Sequence, residues 1–415
     1  MARYDRIAPL NPPARDNAFP GWWILRDLEG LDRDVELSRR ARLRFLALRP
    51  VLRLVETGTN TPHESYIAQI DGVREQLGYL PARDAERSRL ARFLHQIEDG
   101  ELAHVASATL DMADGCALAG HLYGAEEYAS VAASLAEKIS DNRLKSAASA
   151  MLAHVHRMRD QLTDSAEHAN AAVAAAEKAG DFDAIVRAKA ELALTLIKQG
   201  ETPTARKLAA SHRPSPLAAA RLASLELSVS NPDAALEHGV PALRQLDDLR
   251  ERALLLEVLG RAFTDLGLYK AAERCFTIVA QRGVDAVLRA RARAALAVCA
   301  ASRGDVEQYR ERRTALLNDS LEWADPRVFA FIHLELGRAS MITRDVDFAR
   351  EHLRLSLGAA RKHHLSDIIA RVEEVISALE RNAAEQLIPS RAQAAEASRR
   401  IAEQFESLPD IPVIA

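Results

Sequence analysis

The sequence predicts an all-α fold assembled as a linear array of antiparallel helix pairs. Three observations predict it. Ala and Leu dominate a chain of 415 residues that holds only 18 Gly, 16 Pro and 5% aromatics, a composition of helices rather than sheets. Apolar residues recur at helical spacing, and alternating β-branched runs are almost absent. One short sequence frame also repeats along the chain.

The frame is clearest in LGRAFTDLGLYKAAERCF, residues 259–276. This helical segment carries Gly260 and Gly267, although Gly in a helix interior costs about 1 kcal/mol relative to Ala. Leu259-Gly260 is followed by Gly267 and Ala272. The same frame reads Leu192-Ala193, Gly200, Ala205; Leu222-Ala223, Ser230, Ala235; Leu296-Ala297, Gly304, Tyr309; and Leu336-Gly337, Arg344, Ala349. A small residue at Gly260 and its equivalents lets the first helix of a pair cross the second closely. Gly267 falls at the turn between them, where a positive φ is cheap for Gly. No GxGxxG or GxxxxGK[ST] follows a strand, so neither glycine belongs to a phosphate loop.

The last frame positions, 205, 235, 272, 309 and 349, are separated by 30, 37, 37 and 40 residues, near the period of about 34 of a tetratricopeptide repeat. The segments ELALTLIKQGETPTARKL, LGRAFTDLGLYKAAERCF, LAVCAASRGDVEQYRERR and LGRASMITRDVDFAREHL resemble tetratricopeptide (TPR) helix pairs, covering residues 184 to about 360. A less regular version extends back to about residue 100 in HLYGAEEYASVAASLAEKI and SAEHANAAVAAAEKAGD. The resemblance implies a TPR-like α-solenoid, a right-handed superhelix of antiparallel helix pairs whose first helices line a concave groove. Tyr309, where the family usually has Ala, and Arg344, where it often has Gly, depart from the pattern and bear on local pitch.

Four regions follow: an extended arm with a Trp-containing segment over 1–33, an N-terminal helical flank over 34–100, the TPR-like array over 101–365, and capping helices with a tail over 366–415. The arm contains Asn11-Pro12-Pro13 and then FPGWWILRDLEG. Trp22 and Trp23 there point to different sides of a helix, and internal packing is preferred to a partner contact. In RRARLRFLALRPVLRL, residues 39–54, six arginines including Arg39, Arg40, Arg42 and Arg44 accompany a wide apolar stripe with no acidic residue. Pro50 is expected to kink or end that helix. A solvated charged face on a core helix is the preferred reading, and nucleic-acid or membrane-surface contact is the alternative. Further helices are expected between 63 and 110, broken near Gly78–Pro81 and Gly100. SDIIARVEEVISALERNAAEQL, from residue 366, reads as a cap on the array, with a polar helix over 390–406 and the apolar, proline-broken tail LPDIPVIA after it.

Cys116, Cys275 and Cys299 are distant and odd in number, which suggests buried packing rather than a disulfide framework or a metal site. No apolar run has the length of a signal peptide core or a membrane span, so a soluble, cytoplasmic protein is expected. A net charge of −4 argues against wholesale nucleic-acid binding. HExxH is absent, His154 and His156 lie two apart, and His363-His364 are adjacent, so none forms the i, i+4 pair of a zinc helix. Surface or capping roles are expected for these histidines. No catalytic residue, metal or cofactor is expected, and the chain is read as no enzyme.

Binding is better supported. The inner row of each unit lies three before, one after and five after the small residue. It reads Glu257, Arg261, Asp265; Ala190, Leu194, Lys198; Ala220, Ser224, Ser228; Ala294, Val298, Ser302; and Leu334, Arg338, Ile342, with Arg187, Leu254, Arg291 and Phe331 one turn earlier. From these rows the expected partner-binding set is Arg187, Leu194, Lys198, Glu257, Arg261, Asp265, Arg291, Phe331, Leu334 and Arg338. The groove reads as small and apolar with isolated arginines, suited to an amphipathic helix or an extended peptide with acidic groups. The plainer reading is that Glu257, Arg261 and Asp265 only make i, i+4 pairs. No Asn follows the small residue, so the Lys/Asn carboxylate clamp of chaperone-binding members is not matched. The resemblance implies an adaptor or regulatory sensor that holds a peptide or partner helix. Bacterial regulators with similar arms often carry a DNA-binding head, and none is recognisable here.

Overall fold

All five positions that the frame places in a turn have left-handed backbone. φ is +87° at Gly200, +58° at Ser230, +68° at Gly267, +77° at Gly304 and +61° at Arg344. At Gly267 the turn closes in the Schellman manner: the Leu268 N–H donates to the Phe263 carbonyl (2.8 Å) and the Gly267 N–H to the Thr264 carbonyl (3.0 Å). The small positions are buried, as are Ala205, Ala235, Ala272, Tyr309 and Ala349. A Cβ added to Gly260 would lie 2.7 Å from the Phe276 ring, and one added to Gly337 would lie 2.8 Å from the Leu353 side chain. Tyr309 fills its crossing with a ring, and its hydroxyl is satisfied by Ser340 Oγ at 2.7 Å.

The computed structural model describes residues 35–57, 63–82, 84–211, 214–283, 286–319, 325–381 and 394–407. The arm with Trp22 and Trp23 and the tail LPDIPVIA lie outside the described residues. Three helices come first: α1 (Val35–Thr57), α2 (His63–Leu77) and α3 (Ala85–Gln96). Seven pairs follow. They are α4 (Leu102–Ala119) with α5 (Leu122–Lys138), α6 (Asn142–Met158) with α7 (Leu162–Ala179), α8 (Phe182–Lys198) with α9 (Thr202–Ala210), and α10 (Pro216–Ser228) with α11 (Pro232–Leu243). Then come α12 (Leu249–Asp265) with α13 (Tyr269–Arg282), α14 (Ala286–Ser302) with α15 (Val306–Asn318), and α16 (Pro326–Ile342) with α17 (Val346–Lys362). The chain ends with α18 (Ser366–Glu380) and α19 (Glu396–Ser407). Among the described residues there is no strand, and the pairs form a TPR-like α-solenoid.

The frame runs two units further upstream than the exact spacing suggested. Leu152-Ala153, Asp160, Ser165 and Met112-Ala113, Gly120, Ala125 repeat it, with φ of +63° at Asp160 and +91° at Gly120. Helix starts are set by short polar side chains: Asp84, Asp141, Asp181, Ser215, Asp248 and Asp305 accept backbone N–H groups of the helices they open, each worth about 1 kcal/mol.

Each helix of the array packs on its pair partner, and the first helices α4, α6, α8, α10, α12, α14, α16 and α18 also pack on one another in succession. They form the inner wall, and the second helices form the outer one. The solenoid then closes on itself, because α16 rests on α4. Gly120 makes room for this contact, since a Cβ there would lie 2.8 Å from the Arg327 backbone nitrogen. Ser366 Oγ donates to the Met158 carbonyl across the same junction (3.3 Å). The larger apolar core accordingly joins α1 to α6 with α14 to α18.

The basic N-terminal helix does not end at Pro50 but continues through it to Thr57. Its charged face is only partly solvated: Arg49 and Arg53 are exposed, whereas Arg40 and Arg44 are 4% and 1% exposed, Arg40 pairs with Asp84, and Arg44 Nη1 lies 3.1 Å from Glu86 Oε1. These two arginines bind α1 to the start of α3 and are inaccessible to a nucleic acid or membrane. Arg42 is exposed, and the Arg39 side chain lies outside the described residues. No helix among the described residues is long and apolar enough to cross a membrane.

Two substitutions separate the roles of the frame glycines. Gly260→Leu drives a side chain into the Phe276 ring and should lower stability by about 1–3 kcal/mol. Gly200→Ala meets no atom within 4 Å, so its loss of about 1–2 kcal/mol comes from the positive φ alone. Urea unfolding followed by circular dichroism reads both, and an unchanged midpoint for Gly260→Leu would contradict the crossing.

Candidate functional site: two hollows in the concave groove

The inner wall is not a uniform trough. Its described residues line two hollows that share α10 and α12 and lie at different heights along them. The first, of about 630 Å³, is lined by α4, α6, α8, α10 and the start of α12. Its apolar lining includes Leu110, Leu118, Leu144, Met151, Leu194 and Leu254. Its rim charges are paired: Arg221 Nη2 lies 2.6 Å from Glu251 Oε1, Arg187 Nε lies 3.4 Å from the same oxygen, and Arg250 pairs with Asp114. Arg157 holds Glu191 at 2.7 Å. Burial pushes the Glu191 carboxyl up, but Arg157 and His154 outweigh it and bring the carboxyl down to about 2.

The second hollow, of about 410 Å³, is lined by the ends of α10 and α12 together with α14, α16 and α18. Arg261, Arg338 and Arg371 converge there. Glu335, 4% exposed, holds Arg338 at 3.0 Å and Arg371 at 2.6 Å. Burial raises the Glu335 carboxyl, and the two guanidinium groups more than reverse this, so it stays ionised. Arg261 is exposed and has no ion pair among the described residues. Asp265 reaches solvent but is ringed by the walls, and this desolvation pushes its carboxyl above the ordinary value against the pull of Arg261.

The expected partner-binding residues divide between these places. Arg187 and Leu194 line the first hollow. Arg261, Asp265, Phe331, Leu334 and Arg338 line the second, although Leu334 has no exposed surface and Phe331 only 8%. Glu257 and Arg291 form a buried ion pair at mid-height, with the Arg291 guanidinium 5.0 Å from the Phe331 ring centre. Glu257 is therefore engaged across helices and not by Arg261, contrary to the i, i+4 expectation. Lys198 sits in neither hollow: its Nζ donates to the Arg157 carbonyl at 3.2 Å and lies 3.5 Å from Asp160. The arginines of the second hollow are not isolated, since Glu335 gathers two of them.

Several lining residues escaped the sequence reading. Leu110, Asp114, Leu118, Ala150 and His154 occupy the inner row of the two upstream units, and extending the frame past Asp160 would have found them. Arg371 and Glu374 come from α18, which carries no frame. Of the four histidines expected in surface or capping roles, His363 caps the end of α17 and His364 is exposed, whereas His154 and His156 differ. His156 is 7% exposed and stacks on His168 with ring centres 5.1 Å apart, and His154 lies 3.6 Å from Glu191.

One buried trio has metal-ligand proximity: Glu86, His121 and Asp325. It lies at the closure of the solenoid and is already neutralised. Arg89 bridges Glu86 and Asp325, reaching the latter at 3.0 Å, and Arg44 holds Glu86 from the other side. Burial raises the Asp325 carboxyl, but Arg89 and His121 hold it well below the usual carboxylate range. A divalent cation would sit beside two guanidinium charges, so the trio fits a charge clasp better than a metal centre. The thiols of Cys275 and Cys299 are fully buried, and burial pushes Cys299 up to about 12, which leaves it no nucleophilic thiolate near neutral pH.

No family model matches the sequence, and no curated protein matches it. Among solved structures the chain is similar to one described as "Crystal Structure of Rap Protein Complexed with Competence and Sporulation Factor", at 15% identity and a TM-score of 0.44, over 88% of this chain and 99% of that one. The repeat fold itself rests on the helix pairs described above.

A buried histidine pair gives the fold a pH signature. His333 and His352 face each other on α16 and α17 with Nδ1 atoms 2.9 Å apart. Burial, then the neighbouring His352, holds His333 down to about 4, and burial also lowers His352. An unfolded histidine takes a proton near pH 6.5, whereas the folded one resists until about pH 4. Stability should therefore fall as pH drops from about 6.5 to 4. His333→Gln should flatten that slope in denaturant titrations across the window, and an unaltered slope would count against the pair.

Proposed function

We propose that the chain is a non-enzymatic adaptor or regulatory sensor whose concave groove holds an extended peptide segment of a partner. An apolar side chain enters the first hollow, and a carboxylate meets Arg261 in the second. The observation that carries this reading is that two hollows of different chemistry share α10 and α12. Along α12, Arg250 to Leu254 line the first hollow and Arg261 to Asp265 line the second. Eleven residues separate the centres of those stretches, roughly 16 Å at about 1.5 Å per residue. About five extended residues span that distance at about 3.3 Å each. Apolar burial supplies affinity at one end, and charge fixes direction at the other.

Arg261 is the residue to test. It is exposed, so Arg261→Glu should change stability by less than about 0.5 kcal/mol. Random octapeptides displayed on phage and selected on the immobilised full chain should be enriched in sequences that pair an apolar residue with an acidic one. Arg261→Glu should lose their capture, and Leu194→Glu should weaken it through the apolar end. Arg42→Glu, on the exposed side of α1, should capture normally. No enrichment, or capture that survives Arg261→Glu, would overturn the reading.

A further inference from the structure

A third hollow lies on the other face of the solenoid. It has about 390 Å³ and is built on the outer wall, from α13, the turn after α14, and α15. Five cationic side chains line it: Lys270, Arg274, Arg282, Arg303 and Arg312, and among the described residues Glu273 is the one carboxylate of the lining. Glu273 is shared, lying 2.9 Å from Arg303 Nη1 and 2.9 Å from Arg312 Nη1. Lys270 is exposed and has no ion pair among the described residues.

This imbalance is not a property of the molecule at large. The protein as a whole carries a formal charge of −4. Among the described residues of the concave groove, three arginines face three carboxylates in one hollow, and four arginines face five in the other. Glu273 offsets only part of the positive charge that the described lining residues gather, and a bound anion would meet the remainder. Thr277, Gln281 and Gln308 add neutral hydrogen-bonding groups to the same wall.

We propose that this outer hollow binds a compact, multiply charged phosphate of the di- or triphosphate kind, held by Lys270, Arg282 and Arg303, with Thr277 and Gln281 as neutral donors. The ligand is compact because the surface beside the hollow also carries carboxylates. Glu307 and Glu311, on the same helix as Gln308 and Arg312, are exposed and would repel an extended polyanion such as a nucleic acid. The cavity volume falls within the range of about 300–1,000 Å³ usual for small-ligand sites. Nothing in this inference depends on what the concave groove holds.

The test titrates the full chain with inorganic tripolyphosphate by calorimetry, with sulfate at matched ionic strength as comparator. Saturable binding near one per chain is expected for tripolyphosphate and not for sulfate. Lys270→Glu, an exposed change, should weaken it at least tenfold, and Lys270→Glu with Gln281→Glu should abolish it without loss of helicity. Arg261→Glu, in the groove, should leave it unchanged. Unsaturable heats, equal response to sulfate, or binding that survives the double variant would overturn the proposal, as would loss of binding in Arg261→Glu.

Discussion

Close approach of two helices within each pair is the constraint on which the rest of the molecule depends. It needs a small residue where the first helix crosses the second and a left-handed residue in the turn between them, and the two requirements are met together in all seven pairs. Gly260 shows the first in its starkest form, because a methyl group there would already collide with Phe276. Where the turn residue is Gly, the backbone adopts positive φ at little cost. Where it is Asp160, Ser230 or Arg344, the pair geometry prevails over a local preference worth about 1–2 kcal/mol. With every pair held at one geometry, the inner helices fall into a continuous wall, and the groove is a by-product of that regularity.

Charge is distributed over this scaffold with some economy. At the closure, carboxylates and arginines from α1, α3 and the start of α16 are buried together with His121 of the α4–α5 turn. Burial of such ions is costly, and it is tolerated because each carboxylate meets a guanidinium. In the groove, ion pairs line the rim of an apolar hollow in one half and gather around Glu335 in the other. On the outer wall, the described residues of one hollow concentrate positive charge.

The fold was legible in the sequence because the constraint acts locally. A Leu, a small residue, a turn seven residues on and a second small residue five further on are all within one helix pair, so five copies announced the array. The frame was lost upstream where Met112 replaces Leu, Asp160 replaces Gly and Ser165 replaces Ala, although the geometry is the same. Much of the groove was also readable, since the inner row follows from helical periodicity. What could not be read was pairing over long separations. Arg40 and Arg44 look like a solvated face until Asp84 and Glu86 are folded beside them. Glu257 appears to face Arg261 until Arg291 arrives from the next pair. Arg371 belongs to a helix with no repeat signature, so nothing local assigns it to the groove.

The return of α16 onto α4 changes how the molecule should come apart. A linear repeat array feels only nearest neighbours, so its ends fray independently and unfolding can be piecemeal. Here the two ends of the array are neighbours. Arg89 meets Asp325 across a sequence separation of 236 residues, and Ser366 meets Met158 across 208. Loosening either end exposes core belonging to the other, which couples the terminal pairs into one cooperative unit. The same contacts raise the contact order of an otherwise local topology, so the last step of folding waits on the closure of a very long loop. The repeats can form early and in any order, but the groove attains its final curvature only when the ring is shut.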